Sequence, residues 1–199
     1  MKDYFAILEA FAALTGIVGV WYSRKVNILT YPFGLVSVAV YVYLCFVVKL
    51  YADAGINGWY FSMSIYGWWR WAKPVDGKTR SIQLLDKRSG FFGALLFVVG
   101  YPLLYFVLTT FTDSDVPGID AFTTAAAITG MYWMAEKRLE HWYMWLLVNA
   151  VSIPLYLYKN MPVTSVQYAV FLWFTIEGIF IWRKQLLAEK KQSEGSKHR

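Results

Sequence analysis

Residues 55–71 read GINGWYFSMSIYGWWRW, and whether this stretch crosses a membrane decides the fold. It is aromatic and polar rather than aliphatic, so by itself it is a weak span. The sequence around it is plainer. Apolar stretches near residues 5–22, 28–48, 90–110, 119–135, 141–158 and 164–182 are each long enough to cross roughly 30 Å of hydrocarbon as a helix. Counting residues 56–72 makes seven crossings, which puts the two ends of the chain on opposite sides.

Charge decides in favour of that count. With seven spans and the N-terminus outside, 16 of the 19 Lys and Arg fall on one side, and only Lys2, Lys49 and Lys159 face the other. An excess of Lys and Arg in short loops marks the cytoplasmic side, which predicts an N-out, C-in, multi-pass protein of the bacterial inner membrane. The basic loop from Lys73 to Arg88 and the tail RKQLLAEKKQSEGSKHR read as orientation signals that also attract anionic lipid heads. The acidic turn FTDSDVPGID (residues 111–120) lies outside. The first span has no small-residue cleavage site after a short apolar core and reads as a retained helix.

Composition agrees. The chain is 58% hydrophobic, 20% aromatic and 16% charged, too poor in charge to cover a water-facing surface and too apolar to be disordered. Its lone Cys45 sits in the apolar run VYVYLCFVV, behaves as a small hydrophobe and cannot close an internal disulfide. The net charge of +6 is an orientation signal and does not point to nucleic acid.

The chain also repeats itself. A shift of 112 sets Trp21 on Trp133, Lys25 on Lys137 and Ser37 on Asn149; a shift of 111 sets Gly67 on Gly178, Trp71 on Trp182 and Lys73 on Lys184. Spans one to three therefore resemble spans five to seven, with span four as a connector. Equivalent helices cross in the same direction, so the units are parallel repeats about an axis along the membrane normal, as in SWEET transporters, with a substrate site between them near the midplane. The expected fold is an all-α membrane protein of seven transmembrane helices in one domain, residues 1–199. Repeat 1 spans about 5–72, the connector about 90–110 and repeat 2 about 119–184, followed by a basic cytoplasmic tail over 185–199.

Polar groups within hydrocarbon are costly unless paired or facing a watery cavity, so each one in a span is a candidate. Trp142, Trp145 and Asn149 stand at i, i+3 and i+7, one helical face. Two indoles and a carboxamide there suit a flat, amide-bearing or cationic ligand; the plainer reading is an interfacial belt plus an interhelical hydrogen bond. Pro154 kinks the same span. Glu177 either serves the pathway, as a counter-charge or proton site, or pairs structurally with Arg70 or a neighbouring hydroxyl. Asn57, Ser64 and Tyr66 in the third span, Ser37 in the second and Gln167 at the start of the seventh complete the polar set. Gly67 and Gly178 allow close helix approach. His141, beside Glu140 at a boundary, reads as a surface residue. The sequence has no phosphate loop, HExxH, CxxC or GxSxG pattern, and two histidines, His141 and His198, do not make a metal site. No cofactor, metal or catalytic residue is expected, which leaves a membrane enzyme or structural protein built on Glu177 and His141 as the remote alternative.

These residues carry a resemblance. KLYADAGINGWYFSMSIYGWWRW, followed by DAFTTAAAITGMYWMAEKRLEHWYMWLLVNAVSIPLYLY, resembles the PnuC family of bacterial vitamin transporters, over about Val20 to Lys184. Its most specific parts are Tyr66, Gly67, Trp68 and Trp71, and the Trp142, Trp145, Asn149 face. The resemblance implies a SWEET-like fold, commonly a homotrimer, carrying nicotinamide riboside by facilitated diffusion. A cytoplasmic kinase then traps the vitamin for NAD biosynthesis. It also implies that Trp142, Trp145, Asn149 and Asn57 contact substrate; Glu177, Gln167, Ser37 and Tyr66 are further candidates from their polar character within the spans. Ser37 and Glu177 stand where some relatives have Asn, and similar proteins carry thiamine or riboflavin, so the sequence leaves the choice of vitamin open.

Overall fold

A backbone in hydrocarbon has no water to bond, so each apolar stretch must satisfy its own amides by coiling into a helix. The computed structural model describes residues 2–47, 51–74 and 80–197. Lys49, Lys78, His198 and Arg199, which entered the charge and histidine counts, lie outside these. Seven helices run through the described residues: α1 Lys2–Arg24, α2 Thr30–Val47, α3 Tyr51–Ala72, α4 Lys87–Phe111, α5 Pro117–Ala135, α6 His141–Tyr158 and α7 Pro162–Lys197. At 1.5 Å per residue the shortest is about 27 Å long, enough to cross. Apart from one isolated bridge between Gln83 and Arg138, no extended pairing occurs among the described residues.

Only α1, α2, α4 and α7 are apolar enough along a whole window to be recognised as spans by composition. The other three turn polar or small residues inward. Helix α5 buries Ala121, Thr123, Ala125, Ala126, Ala127, Thr129 and Gly130, and such small residues let backbones approach closely; it packs against α3, α4 and α6. Two boundaries differ from the sequence expectation. Helix α3 begins at Tyr51, ahead of the weak stretch, and α7 continues as helix to Lys197. The basic segment expected as a tail from 185 is the end of α7, where Leu186 is buried and Glu189 accepts from the Ile82 amide at 3.2 Å.

The packing is that of two repeats. Within each unit the first helix packs on the second and the second on the third; across the units α1 meets α7 and α3 meets α5, while α4 lies against α5 alone among these contacts. A single offset of 111 residues relates the two. Val26 and Lys137 both take positive φ, 56° and 58°. Their amides bond the Ser23 and Met134 carbonyls at 3.0 and 2.9 Å, and the amides of Asn27 and Arg138 bond Tyr22 and Trp133 at 3.1 and 2.9 Å. Across the units the Trp71 indole donates to the Met134 carbonyl at 3.2 Å and the Trp182 indole to Ser23 at 3.0 Å. The offset of 112 for the first two helices is therefore corrected: aromatic and basic residues recur at helix ends by composition, whereas the turn hydrogen bonds fix the true register. Ser37 then corresponds to Val148, and Asn149 to Val38.

Each unit is keyed by an aromatic ring against a glycine. Tyr31 lies over Gly67 and Trp142 over Gly178, and a Cβ on either glycine would fall 2.5 Å from the ring. Gly178→Ala is expected to destabilise by about 1–3 kcal/mol through overpacking, lowering the thermal midpoint of detergent-purified protein. Gly55→Ala, whose Cβ meets nothing within 4 Å, serves as the neutral comparison; equal midpoints would refute the keying.

Candidate functional site

The keyed rings belong to a larger aromatic floor. Tyr31, Trp71, Trp142 and Trp182 cluster with Ile82, Met134, Leu139 and Leu186. Trp71 and Trp182 lie 5.8 Å apart, Trp142 and Trp182 5.9 Å, and the His141 ring edges onto Trp182 at 4.6 Å. His141 is fully buried, and its Nδ1 lies 2.7 Å from the Arg138 carbonyl, so the expected surface histidine is corrected to a core one.

Above this floor a cavity of about 470 Å³ opens between the units, within the range of small-molecule sites. Its walls come in pairs related by the repeat: Gly16 and Ala127, Val20 and Met131, Ser23 and Met134, Tyr31 and Trp142, Tyr60 and Phe171, Ser64 and Thr175. The symmetry breaks at three places on α2 and α6, one of them Ser37 against Val148. Gly34 stands where the other unit has Trp145, and Val38 where it has Asn149, so the indole and the amide project from one unit only and the other leaves room opposite them.

The site residues expected from sequence divide evenly. Trp142, Trp145, Asn149 and Ser37 line the cavity; Asn57, Gln167, Tyr66 and Glu177 are not among its walls. Asn149 is buried and donates to Thr175 Oγ1 at 3.0 Å. That bond orients the amide and leaves a second N–H and the carbonyl oxygen for a ligand. At the floor, the Trp142 indole nitrogen and the Tyr31 hydroxyl are buried without a protein partner, two further groups able to bond a guest. The Ser37 hydroxyl is committed to the Ala12 carbonyl at 2.7 Å. Asn57 neighbours the wall residue Ile56, and Gln167 neighbours the wall residue Tyr168.

Tyr66 and Glu177, equivalent by the repeat, lie instead at the two seams between units. Glu177 pairs with Arg24, not Arg70. Arg70 bonds Glu136 at 2.6 Å, joined by Arg80 at 3.3 Å and by the Tyr66 hydroxyl. The polarity is exchanged: one seam takes its carboxylate from a third helix, the other from the end of a first helix. The loop leading into α4 reinforces the second seam. Lys137 Nζ donates to the Arg80 carbonyl at 2.6 Å, the Gln83 amide donates to the Lys137 carbonyl at 3.1 Å while the Gln83 carbonyl accepts from the Leu139 amide at 3.0 Å, and Arg138 pairs with Asp86 at 2.5 Å. Arg80, Lys137 and Arg138 are thus largely buried structural cations, so within the basic loop read as attracting lipid heads Arg80 is committed to the seam. Asp86 also caps α4, accepting from the Ser89 amide at 2.7 Å.

Sequence reasoning missed Asp120, Lys159, Tyr60, Tyr168 and Thr175 as wall residues, and Glu136 as the seam carboxylate. The repeat held part of the signal, since Ser64 at an offset of 111 leads to Thr175.

Two parallel three-helix units closing on a lined cavity define a multi-pass membrane transporter. Residues 6–184 match the model of the nicotinamide mononucleotide transporter family, and the chain belongs to that family, among the relatives named PnuC. It is similar to the nicotinamide riboside transporter PnuC of Escherichia coli K12, 20% identical over 201 residues, 88% of this chain and 84% of that one. The PnuC of Neisseria mucosa is 27% identical over 190 residues, 89% and 72% of the two chains. The riboflavin/roseoflavin transporter RibM of Streptomyces davaonensis is 23% identical over 175 residues, 85% and 81%. The crystal structure of the vitamin B3 transporter PnuC superposes with a TM-score of 0.71 at 26% identity, covering 92% of this chain and 83% of that one. The chain is a vitamin transporter and not an enzyme.

Proposed function

We propose that this protein carries nicotinamide riboside across the bacterial inner membrane by facilitated diffusion with alternating access. The observation that carries the reading is the Trp142, Trp145, Asn149 face on one wall of the cavity, with the Asn149 amide oriented by Thr175. An indole face attracts the pyridinium ring, at about 2 kcal/mol when desolvated, and the amide matches the carboxamide or ribose with hydrogen bonds of roughly 1 kcal/mol each. Such a sum suits micromolar binding, from which release is fast.

The basic end of the molecule is the cytoplasmic one in this reading, with the N-terminus outside. The aromatic floor and both ion-paired seams sit at that end, while Asp120 and Lys159 at the other are partly exposed, which supports access from outside in this conformation. Inward release then requires the seams to part. A cytoplasmic kinase makes the flow unidirectional, and assembly as a homotrimer completes the reading.

Proteoliposomes test it. Labelled nicotinamide riboside is expected to equilibrate and stop, and to accumulate only when a nicotinamide riboside kinase and ATP are enclosed; accumulation driven by a proton gradient would overturn facilitated diffusion. Riboflavin is the second reading. RibM is a relative, and the two charged side chains of the cavity wall neutralise each other. Competition among nicotinamide riboside, thiamine and riboflavin on purified protein decides between them.

A further inference from the structure

Thirty wall residues include only two charged side chains among the described residues, Asp120 and Lys159. Lys159 Nζ lies 2.7 and 2.8 Å from the two Asp120 oxygens, and the Ser114 hydroxyl donates to one of them at 2.6 Å. Their side chains are 20% and 24% exposed, Asp120 and Lys159 in that order, so the pair is within reach of whatever enters the cavity from this end. The carboxylate stands in the first turn of α5, where the helix dipole favours negative charge with or without a partner. The ammonium ends a flexible four-carbon stem anchored just past α6, 5.8 Å from the Tyr156 ring. Tyr156 in turn stacks on Tyr168 at 5.1 Å, and both rings line the cavity. Asp113 and Asp115 are exposed on the loop that carries Ser114, giving this mouth a negative field that concentrates cations.

A carboxylate beside stacked aromatic faces is a receptor for a flat organic cation, and here it holds a lysine. We propose that Asp120 forms an outer, cation-selecting subsite of the cavity, where the positively charged ring of the substrate binds before it moves on to the Trp142, Trp145, Asn149 face, and that Lys159 is a tethered cation displaced toward solvent at that step. This rests on the nicotinamide riboside reading and sharpens it: the walls reject anions and favour positively charged heteroaromatics over neutral ones of the same shape.

The test compares nicotinamide riboside, whose ring is cationic, with its reduced dihydro form, whose ring is neutral, in binding to detergent-purified full-length protein. Asp120→Asn is expected to weaken the cation about tenfold or more, the scale of losing a bond to a charged group, while changing the neutral form less than about twofold. Lys159→Gln removes the competitor and is expected to tighten the cation severalfold without affecting the neutral form. Thermal midpoints of both variants verify that they fold. If Asp120→Asn weakens both forms alike, or leaves their ratio unchanged, the pair is a structural tie between α5 and α6 and the proposal falls alone. If the wild type binds neither form, the substrate reading falls and takes this proposal with it.

Discussion

Glu136→Ala is expected to destabilise the protein by about 3–5 kcal/mol, the cost of removing one partner from a buried ion pair. Glu136 is only 7% exposed and answers two guanidiniums, Arg70 and Arg80, as well as the Tyr66 hydroxyl. Without it the Arg70 and Arg80 guanidiniums are left close together with no carboxylate between them, and the loop that Lys137 and Arg138 hold in place loses one of its ties. The measurement is the thermal midpoint and the monodisperse yield in detergent; a midpoint within a degree of the wild type would refute the role.

A pH dependence follows from the same site. Burial works to raise the Glu136 carboxyl, but the bonds from Arg70 and Tyr66 and the charges of Arg70 and Arg80 outweigh it and hold the group below its ordinary value. A carboxyl depressed in the folded state contributes stability above its unfolded value, near about 4.3. That stability is lost as pH falls through the folded value. The wild-type midpoint should therefore decline on acidification below about pH 4, and Glu136→Gln should flatten that part of the profile.

Asn149→Leu is expected to lower nicotinamide riboside uptake by about ten- to a hundredfold, because a polar group of the vitamin would be left buried and unpaired at a cost of about 1–3 kcal/mol. Leu is close to Asn in branching but larger, and it leaves the buried Thr175 hydroxyl without the amide, so the thermal midpoint of the variant checks that the helix packing survives. Trp145→Ala removes the aromatic wall that faces Gly34 by the repeat symmetry, and loses about 2 kcal/mol of cation–aromatic attraction, roughly thirtyfold. Initial rates over a range of substrate in proteoliposomes check both, with Gly55→Ala as a packing control. Unchanged uptake in Asn149→Leu would remove that residue from the site.

The face on α6 was legible because a helix returns to the same side every three to four residues: Trp142, Trp145 and Asn149 share one side in any α-helix, and one side of α6 meets the cavity. Glu177 was legible as an oddity but not as a partner. Its mate, Arg24, closes a contact between the first and last helices, and linear distance carries no information about that. Tyr66 looked like a site residue because its hydroxyl is a polar group within a predicted span. Only the approach of α5 to α3 reveals that its hydroxyl belongs to Glu136. Asp120 read as part of an exterior acidic turn, since Pro117 starts the helix just before it and the reach of Lys159 depends on how α6 ends.

The sequence by itself determined that this chain lives in a membrane, how many times it crosses and that it is built twice over, because hydrophobic length and repeated glycine and tryptophan are local properties of the chain. The tertiary structure decided the register of the repeat, since turn hydrogen bonds and ring-on-glycine contacts set it rather than composition. It also decided which polar residues face the cavity and which lock the seams. Both groups must find partners in the absence of water, and which partner each one finds depends on helices far apart in sequence.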